Sequence, residues 1–220
     1  MARIKISPKF TEEKLDNPTV EDLIDVFEDR IKFWLLEPSK QLMQTEIGWV
    51  PGFSLLLSYF EGIWIYTSGK DSKNKSKEFF RKAFLDVFRA SGLSEPLLDR
   101  IGALLYEDAR CGFFHDCIFR GRTFFASINQ AEMLITLPKK DGKIDETGAI
   151  QSIFIDVQKS HDTVSKHFAT FISRLRNPTE IELRKSFYEI CRVKWGFDQP
   201  GIFIGLHEPK ALDDTTKRYL

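Results

Sequence analysis

The chain has 220 residues, of which 42% are hydrophobic and 29% are charged, values typical of one globular domain with or without an appendage. Its 32 basic and 32 acidic residues cancel, which excludes a chain that coats nucleic acid through its overall positive charge. No apolar run approaches the roughly 20 residues that span a bilayer, so we expect no membrane partner. Three cysteines cannot all pair internally, and with no secretory pattern at the N-terminus they favour free thiols in the cytoplasm.

The first half of the chain is predicted to be mainly helical. Residues 1–18 are interpreted as a loose N-terminal arm with a short strand near residues 4–6. Thr19 and Asp22 then have the spacing of a capping box, and Pro38 should kink or end the helix that follows. The apolar residues of this helix recur at helical spacing: Val20, Leu23, Ile24, Phe27, Ile31 and Trp34.

The next three helices are predicted from apolar patterns and stop signals. The segment from Phe53 to Tyr66 is apolar nearly all round and should lie in the centre of the fold, with Glu61 as its one charge. A third helix carries a phenylalanine stripe that is typical of a core or dimer interface, and it stops at Gly92. A fourth begins near Ser94 and runs into Arg110.

The pattern changes after residue 122. Three short apolar runs separated by turn residues predict a small β-hairpin or sheet inserted at about residues 123–155. A fifth helix follows, and Thr179 with Glu182 has the spacing of a second capping box that would open a sixth. The sequence therefore predicts a mainly α protein: a single domain at 19–197, a bundle of four to six helices with a β-hairpin insertion, and a C-terminal tail at 198–220.

An arginine and a histidine stand at the end of the fourth apolar helix. Arg110 and His115 are separated by four residues, in the sequence Leu105-Tyr106-Glu107-Asp108-Ala109-Arg110-Cys111-Gly112-Phe113-Phe114-His115-Asp116. This arrangement resembles the signature of the HEPN superfamily (higher-eukaryote and prokaryote nucleotide-binding domains), and the resemblance covers roughly residues 19–122. The family often has a polar residue directly after the arginine, where this chain has Cys111.

The chemistry of these two residue types fits RNA cleavage without a metal. Histidine titrates near neutrality, so His115 can exchange a proton with the 2′-hydroxyl or with the leaving 5′-oxygen. Arginine stays charged, and its planar fork matches a phosphate, which suits Arg110 to the scissile group. The resemblance implies that two subunits bring their motifs together, so that a homodimer would form the composite site.

Several neighbouring residues are candidates for supporting roles. Tyr106 lies one helical turn before Arg110 and can share its face. Glu107 could orient Arg110, Asp116 could influence His115, and Glu61 is the most attractive ion-pair partner for Arg110 because a charge in an apolar helix needs one. The candidates for holding an RNA backbone are Arg120 and Arg122.

The spacing raises a geometric difficulty. Residues five apart on an ideal helix point about 140° apart, so Arg110 and His115 would not share one face of a regular helix. Gly112 lies between them and can bend or end a helix. We therefore expect a break or a cleft at this position.

The sequence leaves three hypotheses about function open. The first is a metal-independent endoribonuclease of the toxin or defence type, with RNA as substrate and an antitoxin as a possible protein partner. The second is a catalytically inactive module of the same fold that binds a nucleotide, RNA or a protein, with Arg110 locked in an internal ion pair and His115 pointing into the core. The third is a structural partner that acts through the β insertion and the last two helices.

The remaining histidines and cysteines indicate no further chemistry. Cys111 and Cys117 flank His115 without the spacing of a metal knuckle, so we expect no metal and no cofactor. His161 and His167 lie six apart on the fifth helix, and we predict solvated surface positions for both.

Overall fold

The computed structural model describes residues 5–129 and 131–196, which are mainly helical with small sheets in the C-terminal half. Two π-helical segments join neighbouring α-helices, the first at Ile31–Leu36 and the second at Leu105–Cys111. The α-helices are α1 (Val20–Arg30), α2 (Glu37–Leu42), α3 (Trp49–Ser68), α4 (Ser76–Phe88), α5 (Glu95–Leu104), α6 (Gly112–Asp116), α7 (Val157–Arg176) and α8 (Ile181–Trp195). The strands are β1 (Thr123–Phe125), β2 (Met133–Thr136), β3 (Lys139–Lys140), β4 (Lys143–Ile144) and β5 (Ser152–Ile155).

The first helix begins as the sequence predicts. The Thr19 hydroxyl accepts a hydrogen bond from the Asp22 amide, and the Asp22 carboxylate accepts one from the Thr19 amide at 2.9 Å. The helix does not end at Pro38, because the helical path continues to Leu42. Pro38 lies in the first turn of α2, where a missing N–H costs little, and the turn before it is π-helical.

Helix α3 is the centre of the core, as its apolar character predicts. It packs against α2, α4, α7 and α8. Phe60 contacts the rings of Phe80, Phe84 and Phe88 from α4, with ring centroids 5.1 to 6.0 Å apart. The phenylalanine stripe of α4 is therefore core.

A second aromatic cluster joins the outer helices. Phe27 of α1, which is 2% exposed, contacts Tyr66 of α3, Phe168 and Phe171 of α7, and Phe187 of α8, with centroid distances of 4.4 to 6.2 Å. One ring therefore connects four helices that lie far apart in the sequence.

The β insertion is a three-stranded sheet with the strand order β1-β5-β2, in which β2 is antiparallel and β1 parallel to β5. The antiparallel β3–β4 pair lies in the connection from β2 to β5. Met133, Ile153 and Ile155 are buried in the core. Asp156 connects the sheet to α7, because its carboxylate accepts hydrogen bonds from the amides of Ile128 and Lys159.

The described part of the predicted arm, residues 5–18, packs against α1. The Ile6 carbonyl accepts a hydrogen bond from Arg30 Nε at 2.7 Å, and the Lys9 amide donates to the buried Asp29 carboxylate at 2.8 Å. Residues 1–4 and the predicted tail at 198–220 lie outside the described residues.

The predicted second capping box is wrong. Helix α8 begins at Ile181 with Glu180 at the capping position. The amide and hydroxyl of Thr179 instead donate to the Asn177 side chain at 3.1 and 2.9 Å, so a local turn occupies the residue that was predicted as the cap.

We predict that Phe27→Ala lowers the free energy of unfolding by about 3–5 kcal/mol, because the cavity would open where four helices meet. Phe33→Ala is the matched control, since Phe33 follows in the same helical run and is 41% exposed, and its cost should stay near about 0.5 kcal/mol. Urea unfolding curves give both values. Similar costs for the two variants would contradict the central role of Phe27.

Candidate active site at the end of the fourth helical segment

The helix that carries Arg110 changes its winding just before that residue. After α5 the chain passes through the second π segment, where the Gly112 amide donates to the carbonyl of Glu107, five residues back, and also to that of Ala109. Single π-helical turns accommodate one residue more than the α-helix and are frequent at functional sites. Helix α6 then continues through His115 to Asp116.

The helix does not end at Gly112, as a break there would require, because it continues past His115 to Asp116. Gly112 serves instead for close approach: a Cβ there would lie 2.8 Å from the carbonyl oxygen of Ile118. Cys117 ends the helix in the left-handed conformation with φ 61°, and the chain returns so that the Arg120 amide donates to the Asp108 carbonyl at 2.8 Å. This return keeps the segment after His115 against the helix.

Arg110 lies at the surface of the bundle with its side chain 32% exposed. Its guanidinium is 3.5 Å from the Glu61 carboxylate, a long contact for an ion pair. The ring centroids of Tyr106 and Phe114, one turn before and one turn after, are 5.5 and 5.8 Å from the guanidinium carbon. Two aromatic rings and one carboxylate thus position this cation.

Two of the three partners of Arg110, Glu61 and Tyr106, are anchored to the core. The Glu61 side chain is 18% exposed and accepts a hydrogen bond from the Ser72 hydroxyl at 2.8 Å. Tyr106 packs edge-on against Phe80 with a centroid distance of 5.4 Å, and burial raises the pKa of its hydroxyl. The predicted association of Glu61 and Tyr106 with Arg110 is present in the structure.

His115 is exposed, and its imidazole has no hydrogen-bond partner within residues 5–129 and 131–196. It is not the core histidine that the binding-module hypothesis requires. Two apolar side chains beside it are also open to solvent, Phe114 at 57% and Ile118 at 60% exposure. His115 thus belongs to an exposed segment that carries two exposed apolar side chains, which we call the Phe114–Ile118 surface.

The other predicted supporting residues have different partners. Glu107 pairs with Lys77 and not with Arg110. Asp116 pairs with Arg120, and this hydrogen bond holds the pKa of its carboxyl below the usual value, with a smaller contribution from the charge of His115. Asp108 lies against Gly121, and burial followed by the charge of Glu107 raises its pKa.

Of the two predicted RNA-binding arginines, one is already neutralised. Arg120 pairs with Asp116. Arg122 is exposed at the start of β1, and its side chain has no carboxylate partner among the described residues. Of these two arginines, Arg122 is therefore the one whose charge is not balanced by a carboxylate in the described part of the chain. It follows His115 by seven residues.

Arg110 and His115 are not among the residues that line the clefts of about 180, 240 and 380 Å³ in the described part of the chain. Phe114 connects the two residues: its ring contacts the Arg110 guanidinium, and it directly precedes His115. One chain thus brings the two groups to the same helix end.

His161 and His167 are both more buried than predicted, so the surface interpretation of these two histidines is wrong. His161 is 5% exposed, and its Nε2 lies 3.0 Å from the Leu36 carbonyl. His167, with its side chain 19% exposed, has its Nδ1 2.7 Å from the Tyr59 hydroxyl and its Nε2 3.2 Å from Asp86. His167 lowers the pKa of Asp86, and burial raises that of Tyr59.

A sequence signal for these positions existed. His161 lies four residues after Val157 and three before Val164, and His167 lies three after Val164 and four before Phe171. Both are therefore close to the apolar stripe of α7. Their separation of six residues argues against a metal-binding pair, but it does not indicate whether either side chain is buried.

No family model matches the chain, and no curated protein or solved structure is significantly similar to it. Within residues 5–129 and 131–196, no three His, Cys, Asp or Glu side chains come together as a metal-binding group. In the same residues no helix is long and apolar enough to cross a membrane. The Cys111, Cys117 and Cys191 thiols are free.

We predict opposite stability effects for alanine at two helical glycines. Gly112→Ala should lower the free energy of unfolding by about 1–3 kcal/mol, because the new methyl group would displace the backbone at Ile118. Gly62→Ala is the control: a Cβ there meets no atom within 4 Å, so the better helix propensity should raise stability by up to about 1 kcal/mol. Denaturant titration measures both, and stabilisation by Gly112→Ala would contradict the close approach.

Proposed function

We propose that this chain is a HEPN-like, metal-independent endoribonuclease of the toxin or defence type, which cleaves RNA through a composite site in a homodimer. The observation that carries the proposal is the exposed His115, without an internal partner, at the helix end that also presents Arg110. A histidine with a structural role normally has its nitrogens hydrogen-bonded within the fold, as His161 and His167 do.

Each group would have a distinct part in the reaction. Arg110 would bind the scissile phosphate and stabilise the charge that develops on it. His115 would take the proton from the 2′-hydroxyl or give one to the leaving 5′-oxygen. Attack of the 2′-oxygen on phosphorus breaks the bond to the 5′-oxygen, so the products carry a 2′,3′-cyclic phosphate and a 5′-hydroxyl.

The contacts of Arg110 leave room for a phosphate. A contact of 3.5 Å to Glu61 is weaker than a close bidentate pair, and a third of the side chain is exposed. The Tyr106 and Phe114 rings position the cation without neutralising it. Arg122, exposed and without a carboxylate partner in the described part of the chain, would contact the RNA backbone.

The second subunit would supply what one chain lacks. A single His115 can act as acid or as base at a given moment, whereas the reaction needs both. The Phe114–Ile118 surface beside His115 is apolar and exposed, which favours contact with the same surface of another copy across a two-fold axis. Such a dimer would bring two arginines and two histidines to one groove.

A catalytically inactive module that binds a nucleotide, RNA or a protein is the second candidate, and the Glu61–Arg110 ion pair favours it. The Glu61 carboxylate is mostly buried and is held by Ser72. If this pair persists when RNA binds, Arg110 would recognise the ligand without helping a reaction.

We predict that the purified full-length protein cleaves single-stranded RNA in the presence of EDTA and leaves 2′,3′-cyclic phosphate ends, detectable by mass spectrometry. His115→Ala and Arg110→Ala should each reduce the cleavage rate by about 100-fold or more, because one removes a proton carrier and the other the phosphate ligand. Lys166→Ala, at an exposed position of α7, is the control and should cleave like wild type.

Equal cleavage by wild type and His115→Ala would assign the activity to a contaminant and sink the ribonuclease proposal. RNA binding without cleavage by wild type, weakened in Arg110→Ala, would instead select the binding module. Circular dichroism of every variant separates these outcomes from unfolding.

We also predict that Ile118→Asp converts a dimer to a monomer in sedimentation-velocity experiments and lowers the cleavage rate in parallel, because a charge would be buried at the proposed interface. Ile181→Asp is the matched control, since Ile181 is 67% exposed on α8, and it should leave both readings unchanged. A dimer that survives Ile118→Asp would place the interface elsewhere.

A further inference from the structure

A cleft of about 240 Å³ lies between the first helical run and α3, away from Arg110 and His115. Its walls are mostly apolar, with Phe27, Ile31, Leu35 and Ile63 among the lining residues. A cleft of this size is slightly smaller than the pockets that hold drug-sized ligands, so it suits a small molecule.

Among the described residues that line the cleft, Arg30 is the one that carries a charge. Its Nε donates to the Ile6 carbonyl, and its guanidinium carbon lies 4.4 Å from the ring centroid of Trp195 and 5.9 Å from that of Trp34. No carboxylate within residues 5–129 and 131–196 forms an ion pair with it, whereas Arg176 of α7 pairs with two. Burial lowers the pKa of Arg30, as expected for a cation that lacks an anionic partner.

The floor of the cleft is kept open by a glycine. Gly62 lines it, and a Cβ at that position would meet no atom within 4 Å. Glycine in a helix interior costs about 1 kcal/mol relative to alanine, so α3 loses stability at this residue. The space beside Gly62 is thus available to a ligand.

One face of the cleft is an exposed aromatic side chain. Trp34 belongs to the first π segment and is 50% exposed. It lines the cleft together with Arg30. An indole beside a guanidinium offers a flat apolar surface together with a cation.

We propose that this cleft binds a small molecule with an apolar, ring-containing body and a single carboxylate. The carboxylate would pair with Arg30, whose fork matches its two oxygens, and the body would lie between Trp34 and the apolar walls beside Gly62. One cation in apolar surroundings suits one negative charge, whereas a phosphate dianion would need further donors. This site shares no lining residue with the Arg110 site and stands independently of the proposed ribonuclease function.

Isothermal titration calorimetry of the full-length protein with phenylbutyrate and its neutral amide tests the charge requirement. We expect the acid to bind wild type at least about tenfold more tightly than the amide, a difference of about 1.4 kcal/mol. Arg30→Gln should bind the two probes equally, because the neutral side chain no longer distinguishes them. Equal binding by wild type would identify a site for neutral apolar molecules and overturn the proposal.

A variant that fills the cleft tests whether the ligand binds there. Gly62→Leu should lose at least about tenfold in affinity for phenylbutyrate, while Ala169→Leu, at an exposed position of α7, should bind like wild type. Thermal melts confirm that both variants are folded. Unchanged binding by Gly62→Leu, or no binding of either probe by wild type, overturns the proposal. The RNA cleavage of the same samples is measured separately, so a failure here leaves the ribonuclease proposal to its own test.

Discussion

The packing of four other helices around the apolar helix α3 is the constraint on which the rest of the structure depends. Its side chains are so apolar that α2, α4, α7 and α8 must all pack against it. The single charge on this helix, Glu61, then has to lie where a cation can reach it. Arg110 is that cation, so the packing of the core determines where the candidate active site can form.

Much of the helical framework could be predicted because its signals are local. The Thr19–Asp22 capping box and the apolar spacing of α1 depend on residues within a few turns. The central place of α3 follows from composition alone, and the pairing of Glu61 with Arg110 follows from the cost of an isolated charge. The mainly helical fold with a small sheet in the second half was therefore accessible from the sequence.

What could not be predicted depends on contacts between distant residues. Nothing near Gly112 indicates that the backbone at Ile118 returns against it, so its role as a hinge was the natural inference. The parallel pairing of β1 with β5 spans about thirty residues of intervening chain. Thr179 had the right spacing for a cap, but Asn177 competes for its hydrogen bonds. Whether Arg110 and His115 meet a second copy of themselves is a property of an assembly that one sequence does not encode locally.

The second π segment, Leu105–Cys111, gives the protein a sensitivity to length at this point. Loss of one residue there would restore the ordinary α repeat and rotate everything that follows by about 100° around the helix axis. The Asp108 carbonyl would then accept a hydrogen bond within the helix. It would lose the hydrogen bond that it now accepts from the Arg120 amide. A one-codon deletion before Arg110 would redirect the guanidinium and the imidazole together without substituting either residue, so related chains that keep the Arg–His spacing can still differ in the direction that the two groups face.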